Sequence, residues 1–159
     1  MTQMGGPLRV FALTGPSFCP STVVFRMTLQ SQAEFRAAQI SLGHYEMIVG
    51  NYLFPLCVVY RRARSLPHTQ RDLWAFFQSL HSSVVMRGFA RLCANVTAHE
   101  IPHRGRFRVW TDWVGHRADG STGLVAQTVC YCRGSDAAHQ IEMIEFTHLA
   151  LPDIAALLG

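Results

Sequence analysis

Three alternating runs joined by two short turn signals constrain this chain more than anything else in it. They are "RGRFRVWTDWVGH", "TGLVAQTVCYCR" and "QIEMIEFTHLAL", rich in aromatic and β-branched residues that switch faces at every step. The Asp119-Gly120 pair inside "ADGS" is a strong hairpin signal, and "GSDAAH" supplies a second turn. Centring the first hairpin on residues 119 and 120 sets Trp113 opposite Ala126, Thr111 opposite Thr128, Val109 opposite Cys130 and Phe107 opposite Cys132. Centring the second on residues 136 and 137 sets Cys132 beside Ile141, Cys130 beside Met143 and Thr128 beside Glu145. One sheet face then carries Phe107, Val109, Thr111, Trp113, Ala126, Thr128, Cys130, Cys132, Ile141, Met143, Glu145 and Thr147. It is apolar apart from a Thr111–Thr128–Glu145 row, and suits packing against helices around a pocket. The other face mixes charge and aromatics, with Arg108, Tyr131 and Glu142 in one row, and suits water or a partner subunit. A slip of one residue in the second hairpin would exchange the roles of Glu142 and Glu145.

Upstream, the period changes to that of helices. "SQAEFRAAQISLGHYEMIVGNY" opens with a Ser31-x-x-Glu34 capping pattern, and Phe35, Ala38, Leu42, Tyr45, Val49 and Tyr52 form a stripe ended by Gly50-Asn51. "YLFPLCVVY" is a short strand that Pro55 confines to an edge or a strand start. "TQRDLWAFFQSLHSSVVMRG" is a second helix, with Thr69 and Asp72 at capping positions, a Leu73, Phe76, Phe77, Leu80, Val84 stripe, and Gly88 just past its end. "FARLCANVTAHEI" returns to alternation. The order predicts an α+β domain, with helices laid on one face of a curved antiparallel sheet.

The chain's 159 residues fit a single domain, and 49% apolar with 15% charged residues describes a well-filled globule. Residues 1–27, Gly- and Pro-rich with only the short apolar run "VFAL", are expected to be a loose extension, a mis-assigned start or a disordered arm. The domain is expected over 28–159. The run is too short for a signal peptide, and no apolar stretch reaches the roughly 18 residues of a membrane span. A net charge of +4 could suggest nucleic acid. However, every basic residue is Arg, the arginines are scattered, and no stacking or groove-binding pattern accompanies them, so nucleic acid is not an expected partner. An odd five cysteines without framework spacing point to a reducing compartment and a cytoplasmic protein.

The helix-1 stripe running into "YLFPL", together with "FRVWTDW", "TVCYC" and "IEMIEF" joined by tight turns, resembles the nuclear transport factor 2-like superfamily in its bacterial SnoaL-like branch. The likeness covers roughly residues 28–150. It implies a cone-shaped, cystatin-like domain with a pocket between helices and sheet, and a homodimer.

Within that frame Glu145 is the candidate acid or base. A carboxylate on an apolar face has its charged form disfavoured, which lifts its pKa toward general-base range. Tyr45 or Tyr52 could then donate to a developing enolate. The structural alternative has Glu145 bound to Thr111, Thr128 or an Arg, merely ordering the pocket floor. Tyr45, Tyr52, Trp74, Thr111, Trp113, Thr128 and Met143 are the expected ligand-lining residues. Asp112 with His116 or His148 is a second acid/base pairing, for which a surface link to an Arg is the simpler reading. Cys130-x-Cys132 near His99 and His103 has the wrong spacing for zinc, and these thiols, like Cys57 and Cys93, read as small buried hydrophobes. No metal or cofactor is expected. The resulting function is a domain binding a hydrophobic small molecule, with cofactor-free isomerase, cyclase or hydratase chemistry on a carbonyl compound as its catalytic form. The alternative is a non-catalytic dimeric scaffold with a filled interior and an apolar patch at Trp110, Val129, Ile144 and Phe146 on the outer sheet face.

Overall fold

The structure, a computed structural model, describes residues 27–159; the expectation for the first 26 residues lies outside them. Helix α1 (Leu29–Leu42) is followed by two 3-10 turns and β1 (Tyr52–Tyr60), the short β2 (Ala63–Ser65) and α2 (Gln70–Met86). The strands β3 (Arg91–His99), β4 (Arg106–His116), β5 (Thr122–Gly134) and β6 (His139–Leu149) come next, and α3 (Pro152–Leu158) closes the chain. The six strands form one sheet in the order β2-β1-β6-β5-β4-β3. The sheet is mixed, not antiparallel throughout, because β1 runs parallel to β6. Such a pairing joins strands far apart in sequence, and alternation within a strand carries no information about it.

α2 forms as its sequence dictates. The Thr69 side chain and Asp72 cap each other's backbone N–H groups, and Leu73, Phe77, Leu80 and Val84 are buried. α1 differs. Its N-cap is Thr28, whose hydroxyl accepts from the Ser31 N–H at 3.1 Å, so Ser31 and Glu34 lie inside the helix. It stops at Gly43, in a left-handed conformation (φ +74°) that terminates helices. The buried face is Leu29, Ala33, Arg36, Ala37 and Ile40, while Ala38 and Leu42 lie off it. The expected stripe was set by assuming one helix as far as Tyr52. Tyr45, Val49 and Tyr52 are indeed buried, but from the 3-10 turns and the start of β1. The small Ala33 and Ala37 turn inward on a helix that runs along β3 and covers its free edge. There Gln30 accepts from the Val96 N–H at 2.8 Å and donates to the Ala94 carbonyl at 2.9 Å, and Ser41 accepts from the Leu92 N–H at 2.8 Å.

The β4–β5 register matches the expectation from Phe107–Cys132 through Trp113–Ala126. It does so although the connection is longer than the two residues assumed, with His116 opposite Thr122. A bulge at Val125 absorbs the difference, leaving consecutive residues Val125 and Ala126 both buried. The β5–β6 register does not match. Cys132 pairs with Ile141 as expected, but a shift at Glu142 then sets Tyr131 opposite Met143, Cys130 opposite Ile144, Val129 opposite Glu145 and Thr128 opposite Phe146. Glu145 and Met143 therefore leave the helix-covered face, and Ile144 and Phe146 join it. The expected outer apolar patch loses both of these. Val129 is buried, and Trp110 is half-buried under Arg108, whose guanidinium stands 5.1 Å from the indole.

Candidate functional site

Between α1, α2 and the sheet lies a cavity of about 40 Å³ with almost wholly apolar walls. α2 provides Phe76, Phe77 and Leu80, and α1 provides Ile40 and Arg36. The sheet contributes Tyr52, Leu92, Trp113, Val125, Ala126, Thr128, Cys130, Ile144 and Phe146. Of the expected ligand-lining residues, Tyr52, Trp113 and Thr128 are here. Trp113 Nε1 donates to Thr128 Oγ1 at 2.9 Å, so the threonine hydroxyl in the wall is held by the indole and not by a carboxylate. Thr111 is buried directly opposite Thr128 on β4, without bordering the cavity. Tyr45 bonds His81 Nδ1 at 2.8 Å, and Trp74, 39% exposed, packs edge-on against the Tyr45 ring, so both stand outside. Met143 is on the open face.

Glu145 is also on the open face, accepting from the Tyr131 hydroxyl at 3.0 Å. The physical reason is the bulge at Glu142, which turns the β6 side chains after it over. Glu142 stays outside as well, bound to Arg133 Nη2 at 2.8 Å and beside Arg106 Nε at 3.6 Å. Arg108 pairs with Glu100, its Nε donating at 2.9 Å. Asp112 accepts from Gln127 at 2.9 Å, in place of the expected Arg. No carboxylate lines the cavity among the described residues. Burial pushes the Tyr52 phenol and the Cys130 thiol up, and lifts Cys132 to about 12, so these groups stay protonated and uncharged near neutrality.

Arg36 is the polar residue sequence reasoning missed. It sits on the otherwise apolar face of α1, only 6% exposed. Its one sequence signal was its place among Leu29, Ala33, Ala37 and Ile40 at helical spacing. Arg36 also borders a second depression, an open cleft of about 900 Å³ between α1 and the β5–β6 hairpin, where Phe35, Met47, Asn51, Arg133 and His139 meet it. His139 rests edge-on against Phe107 with ring centroids 5.3 Å apart, and its Nδ1 is buried without a hydrogen-bond partner. Burial and then the Arg36 charge lower its pKa below the ordinary 6.5, against the opposing pull of the Ser135 and Asp136 backbones and the Asp136 carboxylate.

The sign of the resulting pH effect is fixed. His139 is neutral in the folded state at a pH where the unfolded chain already binds a proton, so its contribution is fully present above pH 6.5 and lost as pH falls toward the folded-state pKa. Urea midpoints measured from about pH 7.5 down to about pH 5.5 are expected to fall, and to fall less in His139→Phe. A flat wild-type profile would contradict the assignment.

No protein-family model matches the chain, and no curated protein matches it. Solved structures do. A nuclear transport factor 2-like protein of unknown function from Shewanella oneidensis MR-1 aligns with a TM-score of 0.52 at 11% identity, over 72% of this chain and 90% of its own. A domain of unknown function with a cystatin-like fold from Nostoc punctiforme gives 0.54 at 15% identity over 79% of each chain. The protein Aln2 from a Streptomyces species gives 0.54 at 5% identity, over 81% of this chain and 92% of its own. At these identities the likeness establishes the nuclear transport factor 2-like fold, with helices packed on a six-stranded mixed sheet, and the fold alone.

Proposed function

We propose that this chain is a small-molecule-binding domain that takes an amphipathic ligand where the interior cavity meets the α1–hairpin cleft. The observation that carries the reading is their shared wall: Arg36 borders both spaces. Size divides the work between them. Pockets for drug-sized ligands measure about 300–1,000 Å³, so the 40 Å³ interior suits only a small apolar group and the 900 Å³ cleft the remainder. A carbonyl isomerase, cyclase or hydratase would need a base facing the ligand. With Glu145 on the open face and the cavity's titratable groups held uncharged or, in Arg36, cationic, the arrangement supports binding over proton transfer.

The test is a titration of the methyl-labelled protein with neutral and charged amphiphiles. Saturable shifts of the Val125, Leu80 and Ile144 methyls are expected, and they are expected to vanish in Ala126→Val, which fills the cavity from the sheet side. Shifts confined to other surfaces would end the proposal. Glu145→Gln serves as the companion variant. It keeps a partner for Tyr131 and is expected to leave binding unchanged and stability within about 1 kcal/mol; a lost ligand response would return Glu145 to the site.

The non-catalytic dimeric scaffold draws on the small size of the same interior. Its contact surface would be the open face around Trp110 and Met143. Sedimentation equilibrium decides it, a monomer at tens of micromolar protein being the result that removes it.

A further inference from the structure

Arg36 has a chemical problem that the described residues do not solve for it. The residue as a whole is only 6% exposed, and a cationic side chain so placed ordinarily keeps a carboxylate beside it. All ten acidic residues of the chain lie in 27–159, and the ion pairs found there go to Arg106, Arg108 and Arg133. Among the described residues Arg36 has neither an ion pair nor a side-chain hydrogen bond, and residues 1–26 contain no Asp or Glu to bring to it. Its charge acts on groups from three neighbouring strands, Tyr52 on β1, Cys130 and Cys132 on β5 and His139 on β6. It lines the cavity with Tyr52 and Cys130 and the cleft with His139. One of those groups, His139 Nδ1, is buried without a hydrogen-bond partner among the described residues.

We propose that Arg36 is an anion anchor, and that the ligand is a small carboxylic acid whose carboxylate meets the guanidinium at the junction of cavity and cleft, with its apolar remainder against Phe77, Leu80 and Ile144 or along Phe35. This rests on the binding reading above and adds the ligand's charge. One unpaired cation matches one negative charge. The planar fork of a guanidinium also matches a carboxylate through two parallel hydrogen bonds. A phosphate monoester, carrying close to two charges, would find a single uncommitted cation here, since Arg133 in the same cleft is already bound to Glu142. Tyr52 offers a further donor, protonated at every physiological pH because burial holds its phenol up.

The experiment uses the full chain with octanoate, its neutral counterpart 1-octanol and octyl phosphate, following arginine Nε–Hε signals and cavity methyls by NMR. Octanoate is expected to bind saturably, at least about tenfold more tightly than octanol, and to shift the one Nε–Hε signal that disappears in Arg36→Met. Arg36→Met is expected to abolish that preference while leaving the melting temperature unchanged or raised, because it removes a charge on a buried residue that has no ion pair among the described residues. Equal binding of octanoate and octanol, insensitive to Arg36→Met, would overturn the anion anchor and leave the binding site standing. Silence from all three probes would overturn both. Preference for octyl phosphate would overturn the carboxylate assignment. Should Arg36→Met fail to fold, Tyr52→Phe decides: the octanoate preference is expected to shrink, and its persistence at full strength would overturn the proposal.

Discussion

Replacing Phe77 by alanine is expected to lower the stability of the fold by about 3–5 kcal/mol, the range for deleting a buried aromatic ring from a packed interior. Phe77 is 3% exposed in the middle of α2, where the helix meets both the sheet and the first 3-10 turn. Its ring lies 5.7 Å from Tyr52, 6.1 Å from Phe76 and 6.2 Å from Tyr45, all tilted, so one deletion removes three aromatic contacts as well as the buried area. The void would also open into the existing 40 Å³ cavity, and collapse would have to draw in two layers at once. For a domain whose total stability is of order 5–15 kcal/mol the change is a large share. Urea unfolding followed by tryptophan fluorescence measures it, with the midpoint displaced and the slope unchanged. A loss under about 1.5 kcal/mol would mean that α2 settles onto the sheet and that the cavity is not rigid. The enlarged space should in turn accept bulkier apolar probes than the parent protein.

The two hairpins show how far alternation reads a sheet. Both were placed by assuming symmetric turns and unbroken strands. In the first, a longer turn and a bulge at Val125 offset each other, and Thr111 meets Thr128 as the pattern implies. In the second, shifts at Glu142 and Thr147 add, so Ala126 ends opposite Leu149 and the face of Glu145 is reversed. A bulge residue carries no compositional mark in a run such as "IEMIEF", where apolar and charged residues are so interleaved that either face could be taken inward. Burial decided it: Ile144 and Phe146 contribute more by entering the core than Met143 and Glu145 could, and a charged group on the helix side would stand desolvated. The helices repeat the lesson. α2 was legible because capping box, stripe and stop signal agree. α1 was not, since its inward face consists of two alanines, two aliphatics and an arginine, and Phe35 and Leu42 outweigh them in any hydrophobicity reading. Arg36 was thus left out of the inward face. α3 was missed because "LPDIAALLG" is too short for periodicity to register, although Pro152 at its first turn and Ile154 and Leu158 inward are ordinary helix grammar. The fold was therefore legible in outline, whereas the site depended on one register shift and one helix face.

Gly134→Ala is expected to destabilise the protein by about 2–5 kcal/mol, and to do so at the site itself. Gly134 makes the first rung of the β5–β6 hairpin opposite His139, at φ +125°. Residues with a side chain seldom enter that region at a cost below about 1–3 kcal/mol. A Cβ there would stand 2.4 Å from the Ala138 carbonyl oxygen and 3.0 Å from His139 Cα. Both are backbone atoms, and the turn is already closed by the Ser135 N–H donating to that same carbonyl at 2.9 Å, so relief requires moving the hairpin, at a further cost of about 1–3 kcal/mol. Gly105→Ala provides the control. Gly105 has φ +70° with open space where a Cβ would go, so it reports conformational strain without the clash and is expected to cost about 1 kcal/mol. The difference between the two variants isolates the steric part. If Gly134→Ala costs no more than Gly105→Ala, the hairpin is free to relax and His139 is not fixed by it. If the difference is as large as the contacts imply, the wall of the cleft facing Arg36 is rigid, and whatever binds beside that guanidinium meets a preformed surface.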